Sequence, residues 1–283
     1  MKIVVDSGST KADWIIIKTA TESELTTTLG LNPEVLSHQD LVARINQSSV
    51  IVDIKNSVEE LYFYGSGCGT PRSVGYMKTA LNEIFPNVKK TVIQEDTYAA
   101  VYATTNGNPA IVCINGTGSN CSFFDGEKLI QKVNSLGYMA MDDCSGSDFG
   151  RQLIRAYYFK QMPKDLQLIF ENQYDLDADT LKNHFYKKEN PNAFLAGFLP
   201  FLIENQSHEF MQKLISKTVD FFIENYILQF EESRKIPIHF VGSVAFLLQD
   251  FFKSALKKYQ LTAGNFVQKP IDGLKEYHIW QKK

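Results

Sequence analysis

The first apolar stretch, Lys2–Val5, is rich in β-branched residues and gives way at Asp6 to a small, polar run that lasts to Asp13. The apolar, β-rich pattern resumes at Trp14–Lys18. Two such runs around a Gly/Ser/Thr tip predict a hairpin. The pattern recurs further on. Ala110–Ile114 is apolar, Asn115-Gly116-Thr117-Gly118-Ser119-Asn120 forms a second Gly-rich tip, and Cys121–Phe124 returns as a strand before the Asp125-Gly126 turn. Two units of the same kind suggest a duplicated domain, each half offering one small-residue loop.

Between the hairpins, Leu61–Tyr64 predicts a strand leading into Gly65-Ser66-Gly67-Cys68-Gly69. Pro71–Phe85 predicts a helix, Lys90–Gln94 a strand, and Thr97–Thr104 a helix. Alternation of strand and helix argues an α/β fold. The remainder is more helical. Ser145–Asp148 offers N-cap residues before a helix over Phe149–Lys160. Ser207–Phe230 carries an apolar stripe through Phe210, Leu214, Val219, Phe222 and Tyr226, which predicts one long amphipathic helix. Ile236–Val241 is a strand of the buried type, followed by Gly242-Ser243 and a helix over Val244–Tyr259. A boundary near Thr105–Asn108 divides the chain into domains 1–106 and 107–283, the final helix being free to pack back on the first domain.

Composition narrows the classes. At 283 residues with 44% hydrophobic and 22% charged side chains, the chain can bury a full core without disulfides or metals. A net charge of −3 with no basic run argues against nucleic acid as a partner. An anionic ligand would then be held by local donors and a cation. The longest mostly apolar stretch, Phe194–Ile203, is half the length of a membrane span, and no signal peptide fits the start. Cys68, Cys113, Cys121 and Cys144 have no metal-finger spacing and read as reduced thiols of a cytoplasmic protein.

Two loops could bind phosphate. In Asp6-Ser7-Gly8-Ser9-Thr10-Lys11 and in Gly116-Thr117-Gly118, small residues let successive N–H groups form an anion-binding concavity. Either alone also reads as a plain hairpin turn; two matching loops favour phosphate. Asp6, at a strand end, could hold Mg²⁺ through water. Asp96 opens a helix after a strand, where open α/β sheets bind ligands, and could take a proton from a substrate hydroxyl. Its alternative is an N-cap, and adjacent Glu95 is a rival for the role. Gly242-Ser243-Val244 could pass under an adenine or ribose, or be an ordinary turn. No dinucleotide fingerprint, P-loop or nucleophile elbow is present.

In order and spacing these pieces resemble the actin-like ATPase and sugar-kinase superfamily, in particular the N-acetylglucosamine kinase branch that shares a family with ATPase activators of certain dehydratases. The resemblance covers position 3 to about 256 and is most specific at Gly116–Cys121. It implies two actin-like (ribonuclease H-like) domains with a nucleotide cleft between them, ATP and Mg²⁺ as cofactors, and phosphorylation of an amino sugar, with N-acetylglucosamine and its 6-phosphate first. It places the catalytic base at Asp96 and the adenosine turn at Gly242, Ser243, Val244 and Ala245. It assigns sugar contacts to Asn32, Gly67, Ser119, Asn120, Gly137 and Asp142. A small-molecule kinase of this kind needs no membrane or nucleic acid; pairing into a homodimer stays open, as do a dehydratase-activating ATPase and a non-catalytic sugar sensor. One departure stands out. The family reads Gly-Asp-Glu-Gly-Ser-Gly where this chain has Met141-Asp142-Asp143-Cys144-Ser145-Gly146, so a side chain at two glycine positions either narrows the pocket or strains the turn.

Overall fold

The computed structural model describes residues 1–8 and 11–280. The chain forms two compact units, Met1–Gly107 with Lys269–Lys283, and Asn108–Gln268.

In the first unit, β1 (Lys2–Ser7), β2 (Lys11–Ile17) and β3 (Ser23–Leu29) form an antiparallel meander. Helices α1 (His38–Asn46) and α2 (Ser49–Ile54) follow, then β4 (Glu60–Gly65), α3 (Pro71–Ile84), β5 (Lys90–Gln94) and α4 (Asp96–Thr105). Strands β4 and β5 run parallel to β1, giving the order β3-β2-β1-β4-β5. Alternation along β1 fixes the layers. Ile3 and Val5 face a core with Trp14, Phe63 and Met77, while Val4 faces one with Ile15, Tyr64 and Leu274. The helix Pro270–Trp280 covers that second face. Gly273 sits so close to the Ala103 carbonyl that a Cβ would collide with it, and Tyr277 stacks on Tyr102 at 4.4 Å.

The second unit repeats the plan. Strands β6 (Ala110–Asn115), β7 (Ser119–Phe124) and β8 (Leu129–Ile130) are antiparallel; β9 (Ile238–Val241) and β10 (Ala263–Val267) join as parallel strands, in the order β10-β9-β6-β7-β8. Read from the opposite edge this is the order of the first sheet, so the duplication suggested by two hairpins extends to whole-sheet topology. Between β8 and β9 lie α5 (Gly146–Tyr158), α6 (Lys164–Gln173), α7 (Ala178–Tyr186), α8 (Pro191–Ala196), α9 (Leu199–Glu204) and α10 (Glu209–Asn225); α11 (Ser243–Leu247) and α12 (Gln249–Lys258) precede β10. One core runs through them, with Phe149, Phe170, Phe201, Phe222 and Phe240 among its fully buried rings.

Several boundaries move from the sequence expectation. β2 begins at Lys11 rather than Trp14, because its polar residues pair with β1 in register down to Ser7–Ala12. The long helix ends at Asn225, and its last turns become 3₁₀ at Ile227–Gln229. The helix expected over 244–259 breaks at Leu248, a buried residue that lets α11 and α12 separate. β3 escapes the sequence reading because Ser23–Leu29 is a largely exposed edge strand made mostly of polar residues.

Candidate active site

In the first unit the chemistry gathers at the C-terminal ends of the parallel strands β1, β4 and β5. Asp6 lies in β1 opposite Asp13 and beside Tyr64. Burial, then the charges of Asp96 and Asp13, push its carboxyl up to about 7, against a smaller pull from Lys11. Asp96 opens α4, but the N-cap is Glu95, whose side chain makes no capping bond. The Asp96 carboxylate instead accepts a hydrogen bond from Ser66 Oγ at 2.6 Å, so the plain N-cap alternative does not describe it. Glu95 lies against Gly69, where a Cβ would meet its Oε1 at 3.3 Å. Burial and the neighbouring Asp96 raise its carboxyl above the usual range.

The expected sugar contact Asn32 is built into the same edge. Its Oδ1 accepts from Glu34 N at 2.9 Å, and its carboxamide lies where a Cβ on Gly67 would be. Gly67 has a φ of +82°, so only glycine meets both demands. Ser7, expected in the first phosphate loop, also has a structural bond. Its hydroxyl is fully buried, accepts from Leu31 N at 2.9 Å, and thereby ties β1 to the loop carrying Asn32. The hairpin tip closes with Gly8 N donating to Lys11 O at 3.0 Å, and Lys11 Nζ pairs with Asp13 at 2.6 Å. Ser9 and Thr10, also expected at phosphate, lie outside the described residues.

In the second unit the Gly116–Gly118 tip is tight, with Gly116 N donating to Gly118 O at 3.0 Å. Thr117 is exposed at its crest. The carbonyls of Gly116 and Thr117 accept from Gly146 N (2.8 Å) and Ser147 N (3.1 Å), so the first amides of α5 hold the loop. Gly242, at φ +116°, presses on the end of β6. A Cβ there would overlap the Asn115 carbonyl and meet Gly116 N at 3.0 Å. The expected adenosine turn and phosphate loop are therefore contiguous. The side chains of Val244 and Ala245, also expected in that turn, are fully buried in the core, because α11 uses its apolar face for packing. Gly242 and half-buried Ser243 are left as the accessible part of that turn.

Asp142 accepts from Ser119 N at 3.3 Å and faces Gly118, where a Cβ would come within 2.8 Å of Oδ2. Burial raises its carboxyl, opposed by the Ser119 amide. Ser119 Oγ donates to the Asp143 carbonyl at 2.7 Å, and Asp143 accepts from Tyr226 Oη at 2.7 Å. The Asn120 carboxamide oxygen accepts from Ser122 at 2.9 Å. Gly137, φ +77°, turns the chain so that its carbonyl accepts from Met141 N at 2.8 Å. Sequence reasoning missed the supports: Ser66, Asn115, Asp148 and Tyr226. A serine between two glycines after a strand was a usable signal; the other three act across 29 to 83 residues or through a buried network and left none.

No protein-family model matches the chain, and no curated protein does. Solved structures do. A protein of Porphyromonas gingivalis shares 34% identity over 100% of both chains with a TM-score of 0.92, and one of Chromobacterium violaceum shares 14% over 98% of each with a TM-score of 0.67; both bear the name "putative N-acetylglucosamine kinase". A ROK-family glucokinase of Streptomyces griseus, solved with glucose and AMPPNP, shares 12% over 98% of this chain and 97% of its own, with a TM-score of 0.58. The latter two likenesses are of fold alone.

Proposed function

Because the chain belongs to the N-acetylglucosamine kinase-like branch of the actin-like ATPase and sugar-kinase superfamily, we propose that it uses ATP to phosphorylate a hydroxyl of an amino sugar, with N-acetylglucosamine and its 6-phosphate the first pair to test. The observation that carries this reading is the Asp96 carboxylate, aimed by Ser66 at the edge of three parallel strands and neighboured by Asp6.

Asp96 takes the proton of the acceptor hydroxyl as the phosphoryl group moves. Asn32 orients the sugar from one loop of the same unit. The second unit supplies the Thr117 and Gly118 amides for phosphate, Gly116 N being spent on closing the turn, the Gly242-Ser243 turn for the nucleoside, and Asp142 with Ser119 for sugar hydroxyls. Catalysis of this kind is mostly alignment and charge stabilisation.

The residues fit Mg²⁺. Asp6 has its carboxyl raised first by burial and then by the neighbouring carboxylates Asp96 and Asp13, a site that a divalent cation relieves, and Mg²⁺ keeps waters and substrate phosphates among its ligands rather than an all-protein cage. Asp6 would hold the ion, which when bound supplies charge neutralisation at the phosphates.

Against the dehydratase-activator alternative, all four cysteines are buried thiols, and burial raises Cys113 and Cys144 well above the ordinary thiol value. Unpaired thiols suit a reducing cytoplasm. No described helix is long and apolar enough to cross a membrane.

The test is coupled ADP release with N-acetylglucosamine, N-acetylmannosamine, glucosamine and glucose. Sugar-dependent release, with the product's phosphate located by NMR, is expected. Sugar binding without ADP release would replace the kinase by a sensor.

A further inference from the structure

We propose that Ser66 is the positioning residue of the Asp96 base, and that the Gly65–Gly69 turn sets the base and the sugar contact Asn32 together. The inference rests on the kinase reading and adds a residue to it.

A base on the first residue of a helix has a fixed backbone but a free carboxylate. Asp96 is not held by a capping role, since Glu95 occupies the N-cap. What aims it is the Ser66 hydroxyl, donating to Oδ2 at 2.6 Å, within the short range of a hydroxyl bonded to a carboxylate. A carboxylate has about four acceptor sites over two oxygens, so this bond leaves Oδ1 to take the substrate proton.

Ser66 is itself fixed from below. Its N–H donates to Ser7 O at 2.9 Å, Ser7 is fully buried at the end of β1, and the Ser7 hydroxyl accepts from Leu31 N next to Asn32. The turn closes through Cys68 N donating to Gly65 O at 3.1 Å. Its next residue, Gly67, lies directly against the Asn32 carboxamide. One five-residue turn thus touches the base on one side and the sugar-contacting side chain on the other. The residue at 66 must carry a hydroxyl to donate to Asp96.

Loss of a hydrogen bond to a charged group, with the base released from its aim, predicts a fall in kcat of roughly 10- to 100-fold for Ser66→Ala. KM for ATP should stay put, because Ser66 acts on the base. Ser66→Cys, near-isosteric but a weak donor, should behave like alanine and guards against a folding artefact, checked by thermal melting. Ser66→Thr should recover most of the turnover. The decisive comparison is Ser66→Ala placed on Asp96→Ala: if Ser66 works through Asp96, the double variant is no slower than Asp96→Ala alone. Turnover of Ser66→Ala within twofold of the parent overturns the proposal. So does an equal slowing by Ser66→Ala in the presence and absence of Asp96, which would make Ser66 a sugar contact or a purely structural residue. A parent protein that transfers no phosphate to any sugar overturns the kinase reading itself, and this role with it.

Discussion

The buried carboxamide of Asn115 donates from Nδ2 to the Cys144 carbonyl at 3.1 Å, and it holds Cys144 at a φ of +58°. That is a left-handed conformation few non-glycine residues adopt. On its other side Cys144 N donates to Asp148 Oδ2 at 2.9 Å. Two anchors from strand and helix therefore impose the turn that sets Asp142, at φ +61°, beside Ser119. The Cys144 side chain is fully buried in the second unit's core with Cys113 and Cys121, so of the two outcomes open for a lost glycine, strain rather than a narrowed pocket applies at 144. Met141 is not among the residues with positive φ and packs partly against the same core.

Cys144→Gly should nearly balance. It relieves about 1–2 kcal/mol of left-handed strain and forfeits a comparable gain from burying a small side chain. Urea unfolding is expected to place it within about 1 kcal/mol of the parent. Cys144→Val keeps an apolar side chain but puts a β-branched residue at positive φ, and should cost more than about 2 kcal/mol.

Asp96→Ala should lower kcat by about 10²–10⁴-fold, the ordinary worth of a general base, with the KM for ATP little changed. Steady-state coupled assays decide this. Near-normal turnover would remove Asp96 from the chemistry.

Gly242→Ala should raise the KM for ATP at least about tenfold, equivalent to about 1.4 kcal/mol, while the sugar KM holds. The added Cβ meets the Asn115 carbonyl and Gly116 N, and a φ of +116° is nearly reserved to glycine. Gly75→Ala is the control. Position 75 lies inside α3 with nothing within 4 Å of a new Cβ, so that change should be neutral or stabilise by about 0.5–1 kcal/mol.

His278 predicts acid sensitivity of the first unit. Its ring is buried, with Nε2 2.9 Å from Tyr64 Oη. Burial, with smaller pushes from Lys2 and Lys90, lowers its pKa to about 3 from an ordinary 6.5. Between those values the unfolded chain binds a proton that the folded chain refuses. Stability from this group is therefore unchanged above pH 6.5 and falls on acidification through that window, by up to about 1.4 kcal/mol per pH unit. His278→Gln should flatten the acid limb in urea melts recorded from pH 7 to 4. An unaltered slope would assign the sensitivity elsewhere.

How much of this was legible beforehand depends on whether the signal was local. Glycine-rich tips after β-branched runs placed β1, β2, β6 and β7, since hairpin chemistry lies within a few residues. The strand Lys90–Gln94 and the helix after it brought Asp96 into view at a strand's C-terminal edge. Edge strand β3 hid among polar residues, and the inward turn of Val244 and Ala245 could not be separated from a ligand-facing one, because a short apolar run reads the same either way.

Local pattern along the chain specifies the α/β class, the doubled hairpin plan and the residue types that the chemistry requires, because propensity, turn chemistry and periodicity are properties of neighbouring residues. Which of those residues are tools and which are supports emerges from long-range packing. Ser7 became an anchor for Leu31, Ser66 a donor to Asp96, and Cys144 a strained core residue, through contacts spanning 24 to 30 positions. Such contacts arise when strands distant in the chain pair side by side, which no local pattern specifies.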